Sequence, residues 1–125
     1  MDIPAIDEAV TRDAGARAEP APFGSIEWVV REGDPNGAEQ SVALAVFDPG
    51  SSNAEHIHPN CEEIVFVLDG EMEHTLGVES TILRRGDLIL VPRDAAHRII
   101  NHGPGPCRML IVFSSPDRQF VPTGG

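Results

Sequence analysis

From Phe23 onward, short apolar stretches recur, each closed by Gly, Pro, Asn or Asp: "SIEWVVRE", "QSVALAVF", "EEIVFVLDG", "EMEHTLGV", "STILRRGDLILVP", "AHRIINH" and "RMLIVF". Their lengths and punctuation predict β-strands. Turn signals at 34–37 ("DPNG"), 48–50 ("DPG") and 68–71 ("LDGE") come at hairpin spacing. "IVFVL" and "MLIVF" are apolar at both parities, which predicts strands covered on two faces, as in a closed or sandwiched barrel. No long amphipathic helical period, internal repeat or linker interrupts the chain after Phe23. Residues 1–22 read differently: they are rich in Ala, Pro, Asp and Glu, and Pro4, Pro20 and Pro22 break any long helix. The expected organisation is an N-terminal arm over 1–22, with one short helix near Ile6–Arg12, and a single all-β domain over 23–125.

Length and charge narrow the partners. A chain of 125 residues suits one domain with one core. Twenty acidic residues against nine basic ones give a net charge of -11, which repels phosphate backbones and anionic lipid, so neither nucleic acid nor a membrane surface is an expected partner. The acidic N-terminus lacks the apolar stretch of a signal peptide, and the expected location is the cytoplasm. All nine basic residues are arginine and tyrosine is absent, which removes lysine Schiff-base chemistry and phenolic acid catalysis. Cys61 and Cys107 are too few and too far apart for a CxxC pair or a zinc knuckle and are expected as reduced thiols.

The densest chemistry lies in "EHIHPNCEE", residues 55–63. His56 and His58 alternate by two, so an extended backbone sends both imidazoles from one face and Ile57 from the other. Pro59 ends that pairing, and a tight reversal brings Glu62 or Glu63 back alongside. His97, after the loop "VPRDAAH", supplies a third imidazole. Three neutral imidazoles and one carboxylate form a borderline-hard donor set suited to Fe, Mn, Ni, Co or Zn, with positions left open on an octahedral ion. A divalent ion so held keeps positive charge and favours small anionic or chelating oxygen ligands. His74 and His102 stand outside this spacing and are expected to be structural or solvent-exposed; Arg93 is expected as a solvated loop charge.

Gly50–Gly70, "GSSNAEHIHPNCEEIVFVLDG", resembles the first cupin motif, G-x5-H-x-H-x4-E-x6-G, at every fixed position. Gly86–Asn101 resembles the second, G-x5-P-x-G-x2-H-x3-N, except that Asp94 stands where the family usually has glycine. Asp tolerates the positive-φ turn which that glycine implies. The resemblance implies a jelly-roll (double-stranded β-helix) barrel of the small single-domain microbial type. It selects Glu63 over Glu62 through the interval to Gly70, and so implies His56, His58, Glu63 and His97 as ligands of one divalent transition metal, iron first. It casts Pro92 and Asn101 as fold determinants and a homodimer as the expected assembly. The activity it implies is a dioxygenase-type oxidoreductase acting on a small oxygenated molecule, with Glu63 the one candidate acid/base. A redox-neutral isomerase, lyase or cyclase, and a non-enzymatic binding protein, are the other two readings.

Overall fold

A computed structural model describes residues 2–14 and 17–124. After one helical turn, α1 (Ile6–Ala9), the described chain forms the strands β1 (Ala18–Ala21), β2 (Gly24–Val30), β3 (Ser41–Phe47), β4 (His56–Ile57), β5 (Glu63–Asp69), β6 (Glu71–Leu76), β7 (Glu79–Arg84), β8 (Leu88–Val91), β9 (His97–Ile100), β10 (Cys107–Phe113) and β11 (Val121–Pro122). They make two antiparallel sheets, one ordered β1-β2-β3-β10-β5-β8 and the other β11-β4-β9-β6-β7. Ala45, Val65, Val67 and Met109 from the first sheet share a core with Met72, Leu83 and Ile99 from the second. The two sheets thus pack face to face as a jelly roll, the fold expected from the motifs. No helix among the described residues is long and apolar enough to cross a membrane.

Alternation decides which side chains reach the interior. In β3 and β10 one parity is buried throughout; in β5 it is buried as far as Val67, with Glu63 first and Val65 and Val67 behind it. The other parity is only half covered: Ile64, Phe66, Leu110 and Val112 lie in register on the outer face, and Leu88 and Leu90 beside them are 57% and 48% exposed. The expectation of strands covered on two faces is therefore corrected for the single chain. One face is fully packed, and the apolar outer parity of "IVFVL" and "MLIVF" borders solvent.

Three further differences have local causes. Ala18–Ala21, inside the expected arm, pairs with β2; Pro20 reads as a breaker in sequence, but β1 is the edge of its sheet, where a missing N–H is tolerated. "STILRRGDLILVP" is two strands, because Gly86, with φ of 91°, turns the chain from β7 in one sheet to β8 in the other. The helix stops at Ala9 and not Arg12: its N-cap makes no side-chain hydrogen bond, its last turn has no basic residue, and it buries nothing.

The motif positions outside the donor set act on the backbone. Asp94 has φ of 67°, so the turn before His97 is left-handed as expected, and its N–H donates to the His58 carbonyl at 3.2 Å. Gly70 has φ of 81°, and a Cβ there would run into the Pro106 carbonyl. Asn101 is buried; its Nδ2 donates to Phe47 O at 2.9 Å and Gly105 O at 3.0 Å, and its Oδ1 accepts from Gly103 N at 2.8 Å. The side chain thereby holds the β9–β10 turn against the end of β3. Asn101→Ala strands those buried groups, and we expect a loss of about 2–4 kcal/mol in denaturant unfolding. A loss under about 0.5 kcal/mol would show that water replaces the amide.

Candidate metal centre

His56 and His97 are Cα partners where β4 meets β9, and Glu63 opens β5 in the opposite sheet. His58 follows β4 directly. The four side chains are buried, and one ligand atom from each lies within 4.8 Å of the others. The structure therefore brings the motif residues of two separate sequence segments to one point between the sheets. Glu62, the alternative by spacing, is exposed, as the parity of an extended strand requires.

Backbone carbonyls orient the rings. His56 donates Nδ1–H to Ala54 O at 2.7 Å, His97 to Ala95 O at 2.9 Å, and His58 to Gln119 O at 2.7 Å. A carbonyl can only accept, so in each neutral ring the proton sits on Nδ1 and the Nε2 lone pair faces the cavity. This is the partner arrangement typical of metal-ligating histidine. Glu63 Oε1 stands 2.8 Å from His97 Nε2 and 3.5 Å from His58 Nε2. These atoms are nonetheless buried without a well-directed hydrogen bond. With the rings neutral, three acceptor atoms converge on a common point, and a cation would satisfy them together. The residues present fit a divalent transition metal.

Charge follows the same geometry. Burial opposes ionisation of Glu63, but the facing His58 and His97 outweigh it and hold its carboxyl at about 2. For His97, burial disfavours the proton, and the Glu63 carboxylate overcomes that and raises the ring above its ordinary value. Burial holds His56 down at about 4 despite the Ala54 carbonyl. Hence Glu63 is anionic and His56 neutral across the physiological range, while His97 is the ring whose proton competes with a metal.

The surroundings explain what the linear pattern conceals. His74, expected as structural or exposed, is buried: it donates Nδ1–H to Thr75 O at 2.8 Å and stacks parallel to His97 at 5.9 Å. His102 is exposed and pairs with Glu73 at 2.7 Å. Arg93 is exposed, as expected. Cys61 and Cys107 are free and buried, and burial pushes both thiols up, Cys107 to about 11, so neither is an activated nucleophile.

The roof of the cavity comes from residues 118–122, to which sequence reasoning assigned no role. Phe120 stacks on His56 at 4.2 Å, Gln119 O accepts the hydrogen bond from His58 Nδ1–H, and β11 pairs with β4. Asn60, inside the His-rich loop, ties this strap down: its Nδ2 donates to Asp117 O at 2.7 Å and its Oδ1 accepts from Gln119 N at 2.9 Å. The enclosed space is ≈ 60 Å³, walled largely by apolar side chains such as Ala45, Ile99 and Ile111. That is small beside the roughly 300–1,000 Å³ of ordinary ligand clefts.

The sequence model for the Cupin domain matches residues 43–113. Polyketide synthase CurC of Streptomyces cyaneus is 37% identical over 73 residues, covering 58% of this chain, and the match spans only 47% of that protein. A solved structure of recombinant oxalate oxidase in complex with glycolate superposes with a TM-score of 0.76 at 24% identity, over 94% of this chain and 67% of that one. A Klebsiella pneumoniae protein with a double-stranded β-helix domain gives 0.68 at 24% identity, over 98% and 96% of the two chains. At such identities the structural likeness speaks for the fold alone.

Because the His97 proton must leave before Nε2 can ligate, metal affinity should fall as pH drops through the raised His97 titration, which begins above the ordinary 6.5. Metal uptake near neutrality should release a proton, seen calorimetrically as a binding enthalpy that varies with buffer ionisation heat. Buffer-independent uptake between about pH 6 and 8 would mean that His97 holds no competing proton there.

Proposed function

This chain belongs to the cupin family, and on that premise we propose that it is a metal-dependent enzyme acting on a small oxygenated organic molecule, as a dioxygenase-type oxidoreductase. The observation that carries the reading is the convergence of three Nε2 lone pairs and one carboxylate in a small, mostly apolar cavity. His56, His58, Glu63 and His97 would hold the ion, iron first and manganese, nickel, cobalt or zinc on the same donors. When bound, the ion supplies Lewis acidity toward an oxygen donor and, as iron, electrons for dioxygen.

The chain's own residues account for selectivity. The four donors, drawn from both sheets, converge between them and leave substrate the remaining space of the cavity. Ala45, Ile99 and Ile111 exclude bulk water, which strengthens every electrostatic contact inside. Glu63 reduces the charge of the centre by one and, held ionised, can accept a proton only at a cost. The proteins similar to this chain support small oxygenated substrates: the oxalate oxidase structure carries glycolate, and CurC is named a polyketide synthase.

The test is substrate consumption by iron-loaded protein with small enediols, hydroxyacids and ketoacids, with and without dioxygen. We expect consumption that requires dioxygen and ceases when zinc replaces iron. Equal anaerobic turnover with zinc, manganese or nickel would transfer the reading to an isomerase, lyase or cyclase. Saturable binding with no product under either atmosphere would leave a binding protein.

A further inference from the structure

Arg118 is an unsatisfied cation at the cavity. Its guanidinium lies over the rings of Trp28, Phe113 and Phe120 at 5.0, 5.2 and 5.6 Å from their centroids. Phe113 and Phe120 also pack against His58, at 5.1 and 6.0 Å, so the arginine stands one ring away from the histidine cluster and lines the same cavity. Among the described residues Arg118 makes no ion pair and no hydrogen bond, and its Nε is buried without a partner. Arg17, by contrast, forks onto Asp34 at 2.6 and 3.0 Å.

Nothing in the fold requires a cation there. Stacking on three aromatic rings favours a guanidinium but leaves its N–H donors unused, and a buried donor without an acceptor is costly. Glu19, Glu32 and Asp117 line a neighbouring open hollow with Arg118, yet none of them pairs with it. The backbone is nonetheless held on both sides, by the hydrogen bonds of Asn60 to Asp117 O and Gln119 N. A clamped, stacked and unpaired guanidinium facing a small cavity is preorganised for an anion that arrives from outside.

We propose that Arg118 is a substrate-positioning residue that anchors the carboxylate of a small hydroxy- or ketoacid, holding it by a forked pair of N–H donors while the rest of the molecule reaches toward His56, His58, Glu63 and His97. The inference rests on reading that cavity as the substrate site and adds the chemical class it selects. A divalent ion on one carboxylate leaves a single positive charge, and Arg118 adds a second beside it; the site therefore selects an acid over its neutral amide. The confined volume limits the acid to a few carbon atoms.

Trp28, the one tryptophan of the chain, lies under the guanidinium and reports on it directly. The experiment titrates metal-loaded protein with glycolate and pyruvate, and with glycolamide and pyruvamide, following Trp28 fluorescence and, independently of that signal, heat by calorimetry. Elemental analysis and a thermal melt of every variant accompany it. We expect saturable binding of both acids and roughly 10- to 100-fold weaker binding of the amides. Arg118→Gln should weaken acid binding by about the same factor, abolish the acid-over-amide preference, and leave metal content unchanged. Arg118→Lys should recover part of the preference, since it restores charge without the fork; it also serves if the glutamine variant folds poorly.

Repeating the titration after chelator treatment separates this inference from the metal reading. Should wild type purify without metal, the metal reading falls, while an acid preference that vanishes in Arg118→Gln still upholds the anchor. Acid affinity in Arg118→Gln within about twofold of wild type, equal affinity for acids and amides in wild type, or no saturable response to either acid would each overturn it.

Discussion

Three imidazole N–H groups donating to backbone carbonyls decide what this cavity is. Because the carbonyls of Ala54, Ala95 and Gln119 accept from Nδ1–H, His56, His97 and His58 turn Nε2 inward toward the Glu63 carboxylate, as a lone pair wherever the ring is neutral. Two of those carbonyls lie two residues upstream of their own histidine and are set by local backbone shape. The third is contributed from 61 residues away. The cluster also spans the gap between sheets, with Glu63 on one and His56 and His97 on the other, so an ion there would cross-link the two halves of the fold. Site and fold are consequently coupled: bound metal stabilises the native state by mass action.

The strap explains why the site is small and covered. Residues 118–122 carry the acceptor for His58, the ring against His56 and the strand that closes the edge of β4. Asn60 fastens this segment from within the same loop that bears His58. One short loop thus supplies a donor of the cluster and the clamp that covers it. Rigid placement of this kind lets a site bind without reorganising, and it sets Arg118 beside the cavity with its donors free.

Much of this was legible in the sequence. The seven stretches after Phe23 appear as strands, the buried parity of β5 places Glu63 inside and Glu62 outside, and the left-handed turn at Asp94 follows from the one motif position where it departs from glycine. What escaped had no local signal. Strand β11 is two residues long, β1 contains a proline tolerated only because it is an edge, and the Asn60 clamp joins residues 57 and 59 positions apart with no periodicity to announce it. Arg118 was missed for a similar reason: Trp28, the ring nearest its guanidinium, comes from β2 far away in the sequence, and only folding brings the two together. Arg93, expected as a solvated loop charge, lies at the surface.

The central claim is that one divalent ion is held by three histidines and Glu63. X-ray absorption at the metal edge of protein purified without added metal, with elemental analysis giving the stoichiometry, tests it most directly. The account predicts one equivalent of a transition metal ringed by nitrogen and oxygen scatterers at roughly 2.0–2.2 Å, with the multiple-scattering signature of imidazole. A sulfur shell near about 2.3 Å would bring Cys61 or Cys107 into the site and contradict it. So would the absence of metal from protein that retains its fold.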